Sequence, residues 1–235
     1  MEFGKWSIGL AAALALAGCQ QQSAPAPQPT ASAASTDVAS AQVSGPVRRI
    51  LAFGDSLFAG YGLASPLESY PSQLQAALRQ EGVNAQVVNA GVSGNTTADG
   101  LQRLDFTLES MAKKPDLVIL ELGGNDLLRG LPPKETRANL SAMLEKLKAL
   151  DIPVLLMGMR APPNGGPEFQ KAFDGIYPDL AKRFGVKLVP FFIGSIYDKP
   201  QLLQADHIHP TRQGVEALVA ATKAQVTAAI PPATK

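Results

Sequence analysis

Arg49-Ile-Leu-Ala-Phe53 runs directly into Gly54-Asp-Ser-Leu57, and the fold is read from that junction. A short apolar run stopped by a glycine turn is the pattern of a strand buried on both faces. The pattern recurs along the chain. Gln86-Val-Val-Asn89 leads into Asn89-Ala-Gly-Val-Ser-Gly94-Asn-Thr96, and Leu117-Val-Ile-Leu-Glu121 leads into Gly123-Gly-Asn-Asp126. Val154-Leu-Leu-Met157 and Lys187-Leu-Val189 complete five strand candidates. Helix-period segments separate them. Leu74, Ala77 and Leu78 recur at i, i+3, i+4 before Gly82, a suitable C-terminal stop, and Leu140, Met143, Leu144 and Leu147 form a second stripe before Asp151-Ile-Pro153. A last helix is expected from about Thr211, with Val215, Leu218 and Val219 inward.

Apolar strands joined by helices imply a parallel sheet covered on both faces by right-handed crossovers. The expected class is α/β: a three-layer α/β/α sandwich around a five-stranded, flavodoxin-like parallel sheet, spanning residues 47–235. Ligands of such sheets bind beyond the carboxyl ends of the strands, so polar residues just past the strands are the place to look for chemistry.

The chain has 21 Lys and Arg against 20 Asp and Glu, a formal net charge of +1, which argues against a large single-sign field that would collect nucleic acid. Residues 1–19 read differently from the rest. Lys5 is followed by the apolar run Ser7-Ile-Gly-Leu-Ala-Ala-Ala-Leu-Ala-Leu-Ala17, too short to cross a bilayer and ending in Leu16-Ala-Gly-Cys19. That is the form of an export signal. Its end resembles the bacterial lipobox, in which the cysteine is lipidated and becomes the new N-terminus. Cys19 is the only cysteine, so no internal disulfide is available; the alternative for it is a spare thiol beside an ordinary signal-peptidase site. Residues 20–46 are almost wholly Gln, Ala, Pro, Ser and Thr, a composition that buries too little apolar surface to fold. It is read as a tether with an r.m.s. reach of about 30 Å. The expectation is an exported, periplasmic protein held at the outer membrane by an N-terminal lipid.

Three strand ends place Ser56, Gly94 and Asn125 on one edge of the sheet, and the loop after the fifth strand delivers Asp206-His-Ile-His-Pro210 to the same edge. A serine hydroxyl is a weak nucleophile unless a base takes its proton, and the base needs a third group to fix its tautomer. Ser56, His209 and Asp206 supply those three types, and the i, i+3 spacing lets Asp206 reach one ring nitrogen of His209. Attack on an acyl carbonyl makes an oxyanion that needs preorganised donors. The backbone N–H groups of Ser56 and Gly94 and the side-chain amide of Asn125 suit that task. A histidine base predicts activity rising between about pH 6 and 8.

Gly-Asp-Ser-Leu, the Gly94 block, Gly-x-Asn-Asp and Asp-x-x-His, in that order, resemble the four sequence blocks of the SGNH or GDSL hydrolases. The resemblance spans the chain after the tether and is nearest to the bacterial periplasmic thioesterase/lysophospholipase branch and related arylesterases. It implies a serine ester hydrolase with Ser56, Asp206 and His209 catalytic, with Ser56, Gly94 and Asn125 as oxyanion hole, and without a cofactor. It also implies that the segment after strand four, Met159, Arg160, Ala161 and Pro162 with the residues up to Glu168, contacts substrate.

Blander readings stand beside these. Ser56 can cap a helix, Asn125 can form an Asx turn, Gly94 a tight βα turn, and the segment after Met159 an ordinary Pro/Gly-rich connection. Arg160 suits either an anionic headgroup or a loop staple. Asp55 and Asp126 are assigned to holding loops by hydrogen bonds. His207 is a rival base. No His-Glu-x-x-His run, cysteine cluster or Walker loop is present, so neither a metal nor a nucleotide is expected. The expected substrates are small aryl or alkyl esters, soluble acyl thioesters and lysophospholipids. The alternatives are a carbohydrate O-acetylesterase of the same fold and a non-catalytic lipid-binding lipoprotein.

Overall fold

β1 (Arg48–Gly54) pairs with β2 (Ala85–Gly91) on one side and with β3 (Leu117–Glu121) on the other, and β4 (Val154–Met157) and β5 (Lys187–Val189) lie in turn beyond β3. Every pairing is parallel and the order is β2-β1-β3-β4-β5. The computed structural model describes residues 43–232. The export segment, Cys19 and the tether up to residue 42 lie outside the described residues.

Beyond Arg48 and Arg49, which open β1, the inner strands are buried, which is why they read as unbroken apolar runs: Ile50, Leu51, Ala52 and Phe53 of β1 and Leu117 to Leu120 of β3 have no exposed surface. Burying each large side chain of this kind is worth about 1.5–3 kcal/mol. The helices are α1 (Ser56–Ala59), α2 (Tyr70–Gln80), α3 (Thr97–Glu109), α4 (Gly124–Leu128), α5 (Pro133–Ala149), α6 (Pro167–Asp174), α7 (Ile176–Phe184) and α8 (Arg212–Ala229). α2 packs with α8 against one face of the sheet, and α5 packs with α3 and α7 against the other. An aromatic group closes the first layer: the Phe58 and Tyr70 rings stack with centroids 5.1 Å apart, Phe192 meets both edge-on, and the Tyr70 hydroxyl bonds Thr222 Oγ1 at 2.7 Å.

Strands three, four and five occupy the expected residues. β1 gains one residue at each end and β2 runs on to Gly91, because Gly54 and Gly91 still pair across the two strands without apolar side chains. Thr211 caps α8 through its hydroxyl, which accepts from Gly214 N–H at 3.1 Å. Apolar periodicity does not announce α3. Gly100 interrupts its inner face and Phe106 points outward, 74% exposed, so its stripe is poor. Its legible signal is the capping box of Thr96 and Asp99. α7 likewise rests on Ile176, Tyr177, Leu180 and Ala181, all buried.

The chain reverses its direction of travel between β1 and β3. β2 lies to one side of β1 and the next strand is laid on the other side, which opens a crevice at the carboxyl ends of the two central strands. Asp126, buried in the first turn of α4, holds the far wall of that crevice together. It accepts from the Thr97 backbone N–H at 2.8 Å and from the hydroxyls of Thr97 and Thr136, the last at 3.1 Å, tying α3 to α5. Asp126→Ala strands three buried donors, so the unfolding free energy is expected to fall by about 3 kcal/mol. Urea denaturation reads this directly, and a loss under ~1 kcal/mol would show that the network does not carry stability.

Candidate active site

Ser56 is the first residue of α1, immediately beyond β1, and the helix is capped by its neighbour: Asp55 Oδ1 accepts the Leu57 N–H at 3.0 Å. The Ser56 side chain is therefore free of capping duty. Its Oγ lies 2.8 Å from His209 Nε2, and His209 Nδ1 lies 2.6 Å from Asp206 Oδ2. Asp206 Oδ1 accepts the backbone N–H groups of Ile208 at 2.9 Å and His209 at 3.0 Å, so both carboxylate oxygens are engaged within one turn of chain. Burial alone would raise the Asp206 pKa. The bonds from the His209 ring and from the two backbone N–H groups outweigh it and hold the carboxyl at about 2.

The loop that carries the pair is braced. Gln204 N–H donates to the His209 carbonyl at 2.7 Å, and Gln204 Nε2 donates to the carbonyls of Tyr61 at 2.8 Å and Pro210 at 2.9 Å. The Tyr61 ring lies over His209, centroids 4.5 Å apart. His207 takes a left-handed φ of +58° within this turn and lines the crevice, while His209 makes the bond to Ser56.

Two further groups face the same space. Gly94 has φ +82°, which favours glycine, and the position of a Cβ there is open except for Arg129 Nη2 at 3.7 Å. Arg129 Nη2 donates to the Gly94 carbonyl at 2.7 Å and so fixes the direction of that peptide. Asn125 Nδ2 has two acceptors, Asp55 Oδ2 at 3.0 Å and the Asn95 carbonyl at 3.1 Å. On the other flank Arg103 donates to the Gly54 carbonyl at 2.8 Å and to Asn95 Oδ1 at 2.6 Å, its guanidinium 3.9 Å from the Phe53 centroid. Ser56, Gly94, Asn125 and His209 share a cleft of about 420 Å³. Its other walls are mainly apolar, among them Leu127, Leu128, Met159, Ile193, Tyr197 and Leu203.

The structure thus brings Ser56, Asp206 and His209 into one hydrogen-bonded chain and sets Gly94 and Asn125 beside it. Of the segment after β4, Met159, Arg160 and Pro162 line the cleft. Ala161 does not: it is buried, and its N–H donates to Asp174 Oδ1 at 2.8 Å, which ties the segment to the end of α6. The expectation for Ala161 is corrected accordingly: the bond to Asp174 holds this residue against α6 and away from the cleft. The Arg160 guanidinium lies 5.5 Å from the Phe191 ring centroid. Sequence reasoning missed Tyr61, Gln204, Arg129 and Glu121 as neighbours of the site.

The GDSL-like Lipase/Acylhydrolase family model matches residues 52–217, which contain every strand from the middle of β1 onward and all the residues of the cleft. The chain belongs to this family. An arylesterase of Vibrio mimicus is 44% identical over 163 residues, 69% of this chain and 80% of that protein. The thioesterase 1/protease 1/lysophospholipase L1 of Escherichia coli K12 is 43% identical over 163 residues, 69% of this chain and 76% of that protein. Among solved structures, AlinE4, an SGNH-hydrolase family esterase, superposes with a TM-score of 0.68 at 60% identity, covering 80% of this chain and all of that one. Membership of the GDSL family makes the chain an ester-hydrolysing enzyme.

Proposed function

We propose that this GDSL hydrolase cleaves carboxylic esters and thioesters of small to medium acyl groups through Ser56, His209 and Asp206. The observation that carries the reading is the unbroken chain Ser56 Oγ–His209 Nε2 at 2.8 Å and His209 Nδ1–Asp206 Oδ2 at 2.6 Å, opening into a mainly apolar cleft. Ser56 Oγ attacks the acyl carbon and His209 Nε2 takes its proton. Collapse of the tetrahedral intermediate breaks the ester bond, and the same proton passes to the leaving alcohol or thiol. Water then attacks the acyl-enzyme, giving its proton to His209, which returns it to Ser56 Oγ as the carboxylic acid departs. Asp206 keeps the proton on Nδ1 and faces the imidazolium with a negative charge. The N–H groups of Ser56, Gly94 and Asn125 receive the oxyanion.

The apolar walls favour an acyl chain over a sugar ring, whose hydroxyls ask for polar partners, and this sets the reading above a carbohydrate O-acetylesterase. Arylesterase, thioesterase and lysophospholipase are the names carried by the relatives, and the first two are the activities proposed here. Export through residues 1–19 and lipidation at Cys19 remain the proposed route to the periplasm and an outer-membrane anchor.

The test is a series of p-nitrophenyl esters from acetyl to palmitoyl with residues 43–235. Each buried methylene is worth ~0.8 kcal/mol, about fourfold in kcat/KM, until the cleft is full. The expected profile rises to a medium-chain maximum. Turnover confined to the acetyl ester would transfer the assignment to the deacetylase reading.

A further inference from the structure

Beneath Ser56 lies a second carboxyl group that the acyl-transfer cycle does not use. Glu121 ends β3, between the strand that carries Ser56 and the loop that carries Asn125, and is 1% exposed. Glu121 Oε2 accepts the Asp55 backbone N–H at 3.2 Å, while Oε1 is buried without a hydrogen-bond partner. The approach is close enough to require glycine at position 54: a Cβ there would stand 2.7 Å from Glu121 Oε2. A full negative charge with one bare oxygen is a poor occupant of such a place, whereas a neutral acid is tolerated.

The residue it abuts makes the neutral form useful. Asp55, 2% exposed, accepts from Leu57 N–H and from Asn125 Nδ2. An amide has two faces, and an anion opposite Asn125 admits only the NH2 face, because a flipped amide would set its oxygen against the carboxylate. A charged Asp55 therefore decides that Asn125 presents N–H groups at the cleft. The neutral carbonyl of Asn95 is the weaker of the two acceptors on that nitrogen and the one able to yield a hydrogen to an oxyanion.

We propose that Glu121 is a positioning residue for the oxyanion hole: as a neutral acid it donates its proton to the Asp55 carboxylate, and Asp55, so kept ionised, fixes the amide of Asn125. This deepens the reading of the site given above and rests on it. Burial, then the charge of Asp55, pushes the Glu121 carboxyl well above the ordinary range. Burial also raises Asp55, against the bonds from Leu57 and Asn125, the adjoining Glu121 carboxyl and the charge of His209. One proton thus serves the pair, and it sits on Glu121, which lacks the compensating donors of Asp55. The other ionisable groups that face this pair are Arg103 on α3, toward Asp55, and Tyr177 on α7, whose hydroxyl donates to the Leu122 carbonyl at 3.0 Å and which also feels Asp126 and Asp174. His209 faces Asp55 from the loop before α8.

The experiment compares wild type, Glu121→Gln and Glu121→Leu. Gln is a neutral donor of the same shape and is expected to keep kcat within about threefold, whereas Leu cannot donate and is expected to lose about 10²-fold in kcat with KM little changed. In Glu121→Leu the acid limb of kcat should also move to higher pH, because Asp55 takes up the proton that Glu121 no longer holds. A folded Glu121→Gln that is as slow as Glu121→Leu, or a Glu121→Leu with wild-type kcat and pH profile, would overturn the proposal. If Glu121→Leu does not fold, the infrared spectrum decides: a protonated-carboxyl carbonyl band at pH 8 in wild type that is missing from Glu121→Gln is expected, and its absence from wild type refutes the neutral acid. That band is read without turnover, so it stands or fails separately from the triad.

Discussion

Ser56→Ala is expected to lower kcat on p-nitrophenyl butyrate by about 10⁶-fold, the size of effect found when the nucleophile of a serine hydrolase is removed. The residual rate comes from the oxyanion donors and the bound geometry, which the substitution leaves in place. The structure makes the test clean. Helix α1 is capped by Asp55, so loss of the Ser56 hydroxyl removes no cap, and the only side-chain bond it breaks among the described residues is the one to His209. Stability should stay within about 1 kcal/mol of wild type. A fluorophosphonate, which phosphonylates an activated serine, should label wild type once per chain and Ser56→Ala not at all. A folded mutant that retains a tenth of the rate, or that still takes the label, would move the nucleophile elsewhere and dissolve the assignment of all three residues.

That assignment is legible in the sequence to the extent that its parts are local. Asp206 and His209 are three residues apart, and the bonds from Asp206 to Ile208 and His209 are made within that short stretch. Ser56 and His209 are 153 positions apart, and no local rule joins them. Their meeting is inferred from the sheet alone: if β1 and β5 are parallel, the loops that leave their carboxyl ends emerge at one edge. β3 and β4 are legible to the residue because both faces are buried, while β1 extends by one residue at each end beyond its apolar run. β2 is less so, since it is an edge strand whose last residues, Asn89, Ala90 and Gly91, pair through the backbone and carry little apolar signal.

What the sequence does not disclose lies in pairings between distant side chains. Glu121 stands at the end of an apolar strand, and a carboxylate in that position is a visible oddity, but its relation to Asp55 depends on two strands being neighbours in one register. Gln204 and Tyr61, 143 positions apart, meet by a backbone carbonyl that no composition reveals. Arg129 is similar: its role is to hold the Gly94 carbonyl, 35 residues away. Ala161 shows the reverse error. The segment 159–162 reads as one substrate-contacting unit, but a bond to Asp174 turns its third residue inward. Periodicity tells which residues are apolar, and only the partner tells which way an irregular segment is turned.

Asp206→Asn is the second large effect, expected at about 10⁴-fold in kcat at neutral pH. The reason is in the geometry of both carboxylate oxygens. Oδ2 accepts from His209 Nδ1, and Oδ1 accepts from two backbone N–H groups. An asparagine has only one oxygen. If that oxygen keeps the backbone bonds, the amide N–H points at Nδ1 and forces the proton onto Nε2, where it blocks acceptance from Ser56. If the oxygen turns to Nδ1, the NH2 group meets two N–H donors and the loop opens. Either arrangement disables the base. The pH dependence separates this from a general loss of folding. With its carboxyl held at about 2, Asp206 is ionised throughout the range above about pH 4, so any fall in wild-type activity above that range belongs to another group. A carboxyl lowered on folding stabilises the native state above its unfolded value of about 4 and ceases to do so as pH falls through about 2. Wild type should therefore lose stability over that interval, and Asp206→Asn should lose less over the same interval while remaining folded at neutral pH. A mutant whose acid unfolding curve parallels the wild type would mean that Asp206 is not held low by His209, and the orienting role would pass to another carboxylate.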